Sequence, residues 1–115
     1  MPEPLSNMKS IATLTRGTAV VWDGSSNAVE IGSSLASRWL HLKSGAVQIE
    51  FYSGARVILE GPAALQLLSQ GEARLDYGKL SARVPEPAHG FKVYTPEGTV
   101  TDLGTEFGLN FQKAQ

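Results

Sequence analysis

Apolar and polar residues take turns along much of this chain. Val47, Ile49 and Phe51 alternate with Gln48, Glu50 and Tyr52, the period of two that predicts a strand with one face buried. Ser53-Gly54 then turns the chain. Ala55, Val57 and Leu59 alternate with Arg56, Ile58 and Glu60, up to Gly61-Pro62. Proline cannot donate to a ladder, so this strand is expected to stop there, completing a hairpin. A second hairpin is expected to turn at Gly78, with Ala73, Leu75 and Tyr77 before it and Leu80, Ala82 and Val84 after it. Phe91-Lys92-Val93-Tyr94 predicts a further strand, Thr95-Pro96-Glu97-Gly98 a type I turn, and Phe107, Leu109 and Phe111 a closing strand. The inward set of these strands, Val47, Ile49, Phe51, Val57, Leu59, Leu75, Leu80, Val84, Val93 and Phe107, is the expected core.

The first third is less regular. Residues 18–22 and 38–42 read as strands around an Asp23-Gly24-Ser25-Ser26-Asn27 loop, and residues 29–36 as a strand or a connector. Residues 63–68 have helix propensity, but isolated helices below ~12 residues are marginal, so a strand is expected there too. Strands spaced by roughly 8–12 residues with turn signals between them predict an all-β fold, either a rolled two-sheet sandwich or a small β-solenoid. Alternation alone leaves parallel and antiparallel pairing open.

Length and composition fit one folded unit. The 115 residues are 42% hydrophobic and 18% charged, which supports a core and argues against disorder. Ten basic and eleven acidic residues are scattered along the chain, so no field gathers phosphates and nucleic acid is not an expected partner. Cysteine is absent, which removes disulfides and thiol chemistry without deciding the compartment. No apolar run approaches the roughly 20 residues of a membrane helix, and MPEPLSNMKS lacks the order of a secretion signal. The opening Pro2-Glu3-Pro4 and the polar residues after it suggest a linker over 1–16 and one β domain over 17–113, trimmed from a longer protein.

Chemistry-bearing arrangements are few. Nucleophile elbows, phosphate-cradling glycine loops and paired histidines at metal spacing are missing, so no cofactor, metal or catalytic residue is expected. His41 should lie opposite Leu40 and Leu42, and His89 beside a glycine in a proline-rich loop. Both read as solvent-side residues. Glu50 and Glu60 end successive strands and could meet across a hairpin as a glycosidase pair, but they read first as outward solubilising residues near turns, with Arg56 as partner, since spacing alone does not make them catalytic. Trp22, Trp39, Tyr52, Tyr77 and Tyr94 could stack sugars, or pack across strands as aromatic strand residues do.

Four segments in order carry a family likeness: residues 53–63, including Glu60-Gly61-Pro62; Leu75-Asp76-Tyr77-Gly78-Lys79-Leu80; residues 90–96, including Thr95-Pro96; and residues 102–108, including Asp102, Gly104, Thr105, Glu106 and Phe107. Together they resemble the FecR-type domain over about residues 40 to 111. The resemblance implies an extracytoplasmic, periplasmic domain of a larger protein, held by a membrane helix that this chain does not contain. That protein would carry a cytoplasmic anti-sigma region and relay a signal from an envelope protein partner such as a receptor's signalling domain. The motif residues themselves read mainly as structural: Gly61-Pro62 and Thr95-Pro96 enforce turns, while Asp102 and Thr105 are suited to bonding nearby backbone N–H groups at a corner. A surface acidic patch offered to a partner is the other reading of Asp102, Glu106 and their neighbours. Two function classes follow: a non-catalytic protein-interaction domain in envelope signalling, or a carbohydrate-recognition or carbohydrate-processing module.

Overall fold

The computed structural model describes residues 10–24, 28–85, 90–102 and 106–112, with the backbone alone at Asp102. These residues form strands and turns without a helix. The strands are β1 (Ala12–Trp22), β2 (Ser34–Leu35), β3 (Arg38–Phe51), β4 (Arg56–Ser69), β5 (Glu72–Arg83), β6 (Phe91–Thr95), β7 (Gly98–Asp102) and β8 (Glu106–Phe111). They join one curled sheet in the order β2-β1-β3-β4-β5-β6-β7. From β1 to β5 the neighbours are antiparallel, which selects the rolled sheet over stacked solenoid rungs.

β5 divides its outer side between two strands. Its first residues, Glu72, Ala73 and Arg74, pair in parallel with Lys92, Val93 and Tyr94 of β6. Gly78 to Arg83 pair antiparallel with β8.

The core lies on the inner face of the curl. Val47, Ile49, Phe51, Val57, Leu59, Leu75, Leu80, Val84 and Val93 are all buried, as the alternation requires, and Phe107 packs half-buried against them. The phase of the alternation changes inside the long strands. In β3 the buried positions are Leu40 and Leu42, then Val47, Ile49 and Phe51; in β5 they are Ala73 and Leu75, then Leu80 and Ala82. Bulges cause the shift, between Leu42 and Ala46 on β3 and between Glu60 and Ala64 on β4. These irregularities line up across the sheet, and strands bend at bulges, so one set of long strands supplies both walls of the core.

Close backbone approach fixes the line. Gly45 has φ +88, and a Cβ there would lie 2.2 Å from the Ala19 carbonyl oxygen. At Gly78, φ is +121 and a Cβ would lie 2.3 Å from that of Ala63.

Four expectations are corrected. Gly61-Pro62, joined by a cis bond, does not end a strand. Both ladders skip these two residues, passing from Glu60 to Ala63 on the β3 side and to Ala64 on the β5 side, so the missing proline N–H costs no ladder bond. Gly78 is not a hairpin turn but the bend inside β5, and the second hairpin turns at Gln70-Gly71 instead. Residues 38–42 and 47–51 form one strand through Gly45. Residues 12–16, assigned to the linker, are the first half of β1, where Ala12 and Leu14 are fully buried. Residues 63–68 are strand, as expected.

Candidate functional site

Pairing register places the sequence motifs. Glu60, Gly61 and Pro62 sit at the β4 bulge, where with Gly78, Lys79, Asn110 and Phe111 they line a surface cavity of about 270 Å³. Glu60 meets Lys79 at 3.7 Å. Glu106 and Phe107 open β8, opposite Arg83 and Ala82. The first and last motifs therefore converge on the outer side of β4, β5 and β8.

Thr95-Pro96 lies elsewhere, at the β6–β7 turn. The Thr95 hydroxyl donates to the Gly98 carbonyl at 2.6 Å and accepts the Glu97 N–H at 3.2 Å, a local bonding pattern that closes the turn. Gly104 and Thr105 lie outside the described residues, as does His89, and Asp102 ends β7. The expected corner at Asp102 and Thr105 is thus outside what the side chains here describe.

The tempting carboxylate pair does not form. Glu50 is opposite Arg56 and Glu60 is opposite Ala46, which separates them by four positions along one ladder, ~13 Å at strand rise. Each has a cation instead, Arg56 at 3.9 Å and Lys79 at 3.7 Å. These pairs are exposed and worth little stability.

The aromatic residues are spread over the molecule. The Trp22 indole N–H donates to the Val29 carbonyl at 3.1 Å. Trp39 stacks on His41 with ring centroids 5.7 Å apart, and His41 faces away from buried Leu40 and Leu42. Tyr52 is 51% exposed at the β3–β4 turn. Hydrogen bonds from Ser34 and Thr13 hold its phenol below the ordinary range.

A denser polar knot ties β6 to the β4–β5 turn. The Tyr94 hydroxyl donates to Glu72 at 2.5 Å, and the Ser69 hydroxyl donates to the same carboxylate at 3.1 Å. The Tyr94 bond, then that of Ser69, holds the Glu72 carboxyl below its ordinary value, while Glu72 raises the Tyr94 phenol. Among the described residues, no three His, Cys, Asp or Glu side chains are grouped to hold a metal, and no helix is long and apolar enough to cross a membrane.

The feature that sequence reasoning missed is a row across four strands. Register aligns Glu50, Arg56, Arg83 and Glu106 from β3 through β4 and β5 to β8. Beside it run Gln48, Ile58, Ser81 and Gly108, which with Arg56, Arg83 and Glu106 line a groove of about 530 Å³. Nothing in the spacing of Arg56 and Arg83 in the chain marks them as neighbours; only the β4–β5 register does.

Compared with known families, residues 41–115 match the family described as FecR protein. No curated protein and no solved structure matches the chain.

Proposed function

The chain belongs to the FecR family, and from that premise we propose that it is a non-catalytic, extracytoplasmic protein-interaction domain of a cell-envelope anti-sigma regulator. The family is one of regulators in sigma-factor signalling, and such a domain acts by contact. The observation that carries the reading is the edge strand β8. It pairs with β5 on one side and with no described strand on the other, and its inward residues Phe107, Leu109 and Phe111 are only half-buried. A free edge with an incompletely covered apolar row is suited to receive a partner's strand, because main-chain N–H and C=O groups supply affinity and the side chains supply register.

The test is a photo-crosslinking amino acid at Asn110, exposed on β8, in the full-length regulator in its own cell. An envelope protein should be captured in a signal-dependent manner, and a β8 deletion should uncouple a sigma-dependent reporter. A reporter indifferent to β8, with no cross-link, overturns the reading. A carbohydrate module would instead show glycan binding that survives loss of β8.

A further inference from the structure

The groove on the outer side of β4, β5 and β8 has an unusual electrostatic floor. Arg56 and Arg83 are direct cross-strand partners, and like charges placed opposite one another destabilise a sheet. Their compensation inside the chain is slight. Arg56 Nε lies 3.9 Å from Glu50 and Arg83 Nε 3.7 Å from Glu106, long contacts between exposed side chains. Contacts this long and exposed are weak, and a guanidinium is shaped to exchange them for a planar, bidentate acceptor such as a carboxylate. A second cavity, lined by Gly54, Arg56, Arg83 and Pro85, lies on the far side of the same two residues, so the arginine pair is a ridge reached from both sides.

Next to this arginine pair the groove is open and carries an apolar spot. Ile58 is 44% exposed on its floor, and its neighbours Ser81 and Gly108 are small. Gly108 is not demanded by the fold: its φ is not positive, and an added Cβ would meet only the Leu80 carbonyl oxygen at 3.7 Å. Gly108 lines the groove, so a side chain added there would fall inside it. The arginine row and the Ile58 row are two residues apart along the strands, ~6.6 Å. That is the distance between side chains i and i+2 on one face of an extended peptide.

We propose that this groove binds an extended acidic segment of the partner protein, its carboxylate between Arg56 and Arg83 and an apolar side chain two positions away over Ile58. The proposal rests on the interaction reading above and specifies its partner's chemistry. Charge complementarity selects an acidic segment, and the i, i+2 match to an apolar spot selects a peptide over a free anion.

Fluorescence anisotropy with a labelled peptide, Glu-Thr-Val-Thr-Glu-Thr-Val-Thr, tests it. The chain should bind this peptide in a salt-dependent manner, and bind neither the version with lysine for glutamate nor the Glu-Val-Thr-Thr repeat, which puts the two side chains on opposite faces. Arg56→Ala with Arg83→Ala should weaken binding about tenfold or more, and Lys79→Ala, one row beyond Ile58, by less than about twofold. Gly108→Leu fills the groove where a side chain has room, so it should abolish binding at unchanged melting temperature, which keeps the test open if the arginine variant fails to fold. Equal binding by the variants or by the lysine peptide overturns the proposal, as does displacement of the peptide by millimolar inorganic phosphate alone. If the peptide fails to bind while the Asn110 cross-link persists, this groove is wrong and the interaction reading stands; if both fail, that reading falls as well.

Discussion

Phe51 is the residue on which the two ends of the fold meet. It is 2% exposed, it pairs with Ala12 of β1, and its ring packs edge-on against Phe91 of β6 at 4.9 Å. Removing the ring leaves a void between distant segments that cannot easily collapse. Phe51→Ala is expected to cost about 3–5 kcal/mol in chemical denaturation, and a loss below about 1 kcal/mol would contradict the packing described. The Tyr94–Glu72 knot makes a different kind of contribution, one that depends on pH. Glu72 titrates below its ordinary 4.5, so its stabilising effect is complete above that value and is lost as pH falls through the lowered pKa. Tyr94 titrates above its ordinary 10.0, so its effect is complete below 10.0 and is lost as pH rises through the raised pKa. The stability gap between the wild type and Glu72→Gln should therefore be flat across neutral pH and narrow at both extremes. A gap independent of pH down to strongly acid conditions would show that the carboxylate is not the acceptor.

At the level of strands, sequence reading succeeded where burial alternates without interruption and failed where the alternation changes phase. Val47 to Phe51 and Ala55 to Leu59 were legible because each keeps one parity within a short window. From sequence, Gly61-Pro62 reads as a strand end and Gly78 as a turn, because proline and glycine commonly are, and nothing marks Gly45 as lying inside a strand. Here they mark the bulge line, which is a property of four strands side by side and not of any one segment. The distinction can be tested. Gly45→Ala brings a Cβ to 2.2 Å from the Ala19 carbonyl at φ +88, so it should destabilise by well over about 1 kcal/mol. Gly71, at the β4–β5 turn, has open space around it and no positive φ, and Gly71→Ala should be neutral or stabilise by up to about 1 kcal/mol. If both substitutions were equally mild, the bulge line would be plastic rather than fixed. The candidate groove was illegible for the same reason. Arg56 and Ile58 of β4, Arg83 of β5 and Gly108 of β8 come from three distant stretches of the chain and become one surface only through the registers of these strands.

For the molecule as a whole, the family match and the folding unit do not coincide. The match begins at residue 41, inside β3, and leaves out β1 and β2. Yet β1 pairs with β3 along its length, and Ile11, Ala12 and Leu14, with Leu35 of β2, are buried in the same apolar cluster as Ile49 and Phe51. Without β1, its side of β3 also becomes an open edge with no ladder partner. One strand of this size removed from one side of a curled sheet leaves both an apolar face and an open ladder uncovered, and a domain is stable by only ~5–15 kcal/mol in total. A fragment of residues 41–115 is therefore expected to lack a cooperative unfolding transition by circular dichroism, whereas the same fragment extended back to residue 10 should show one. Cooperative unfolding of the shorter piece would mean that β4, β5 and the strands after them make a sufficient core alone, with β1 and β2 an accessory flap and the inner wall at Phe51 closed by Phe91 without help from Ala12.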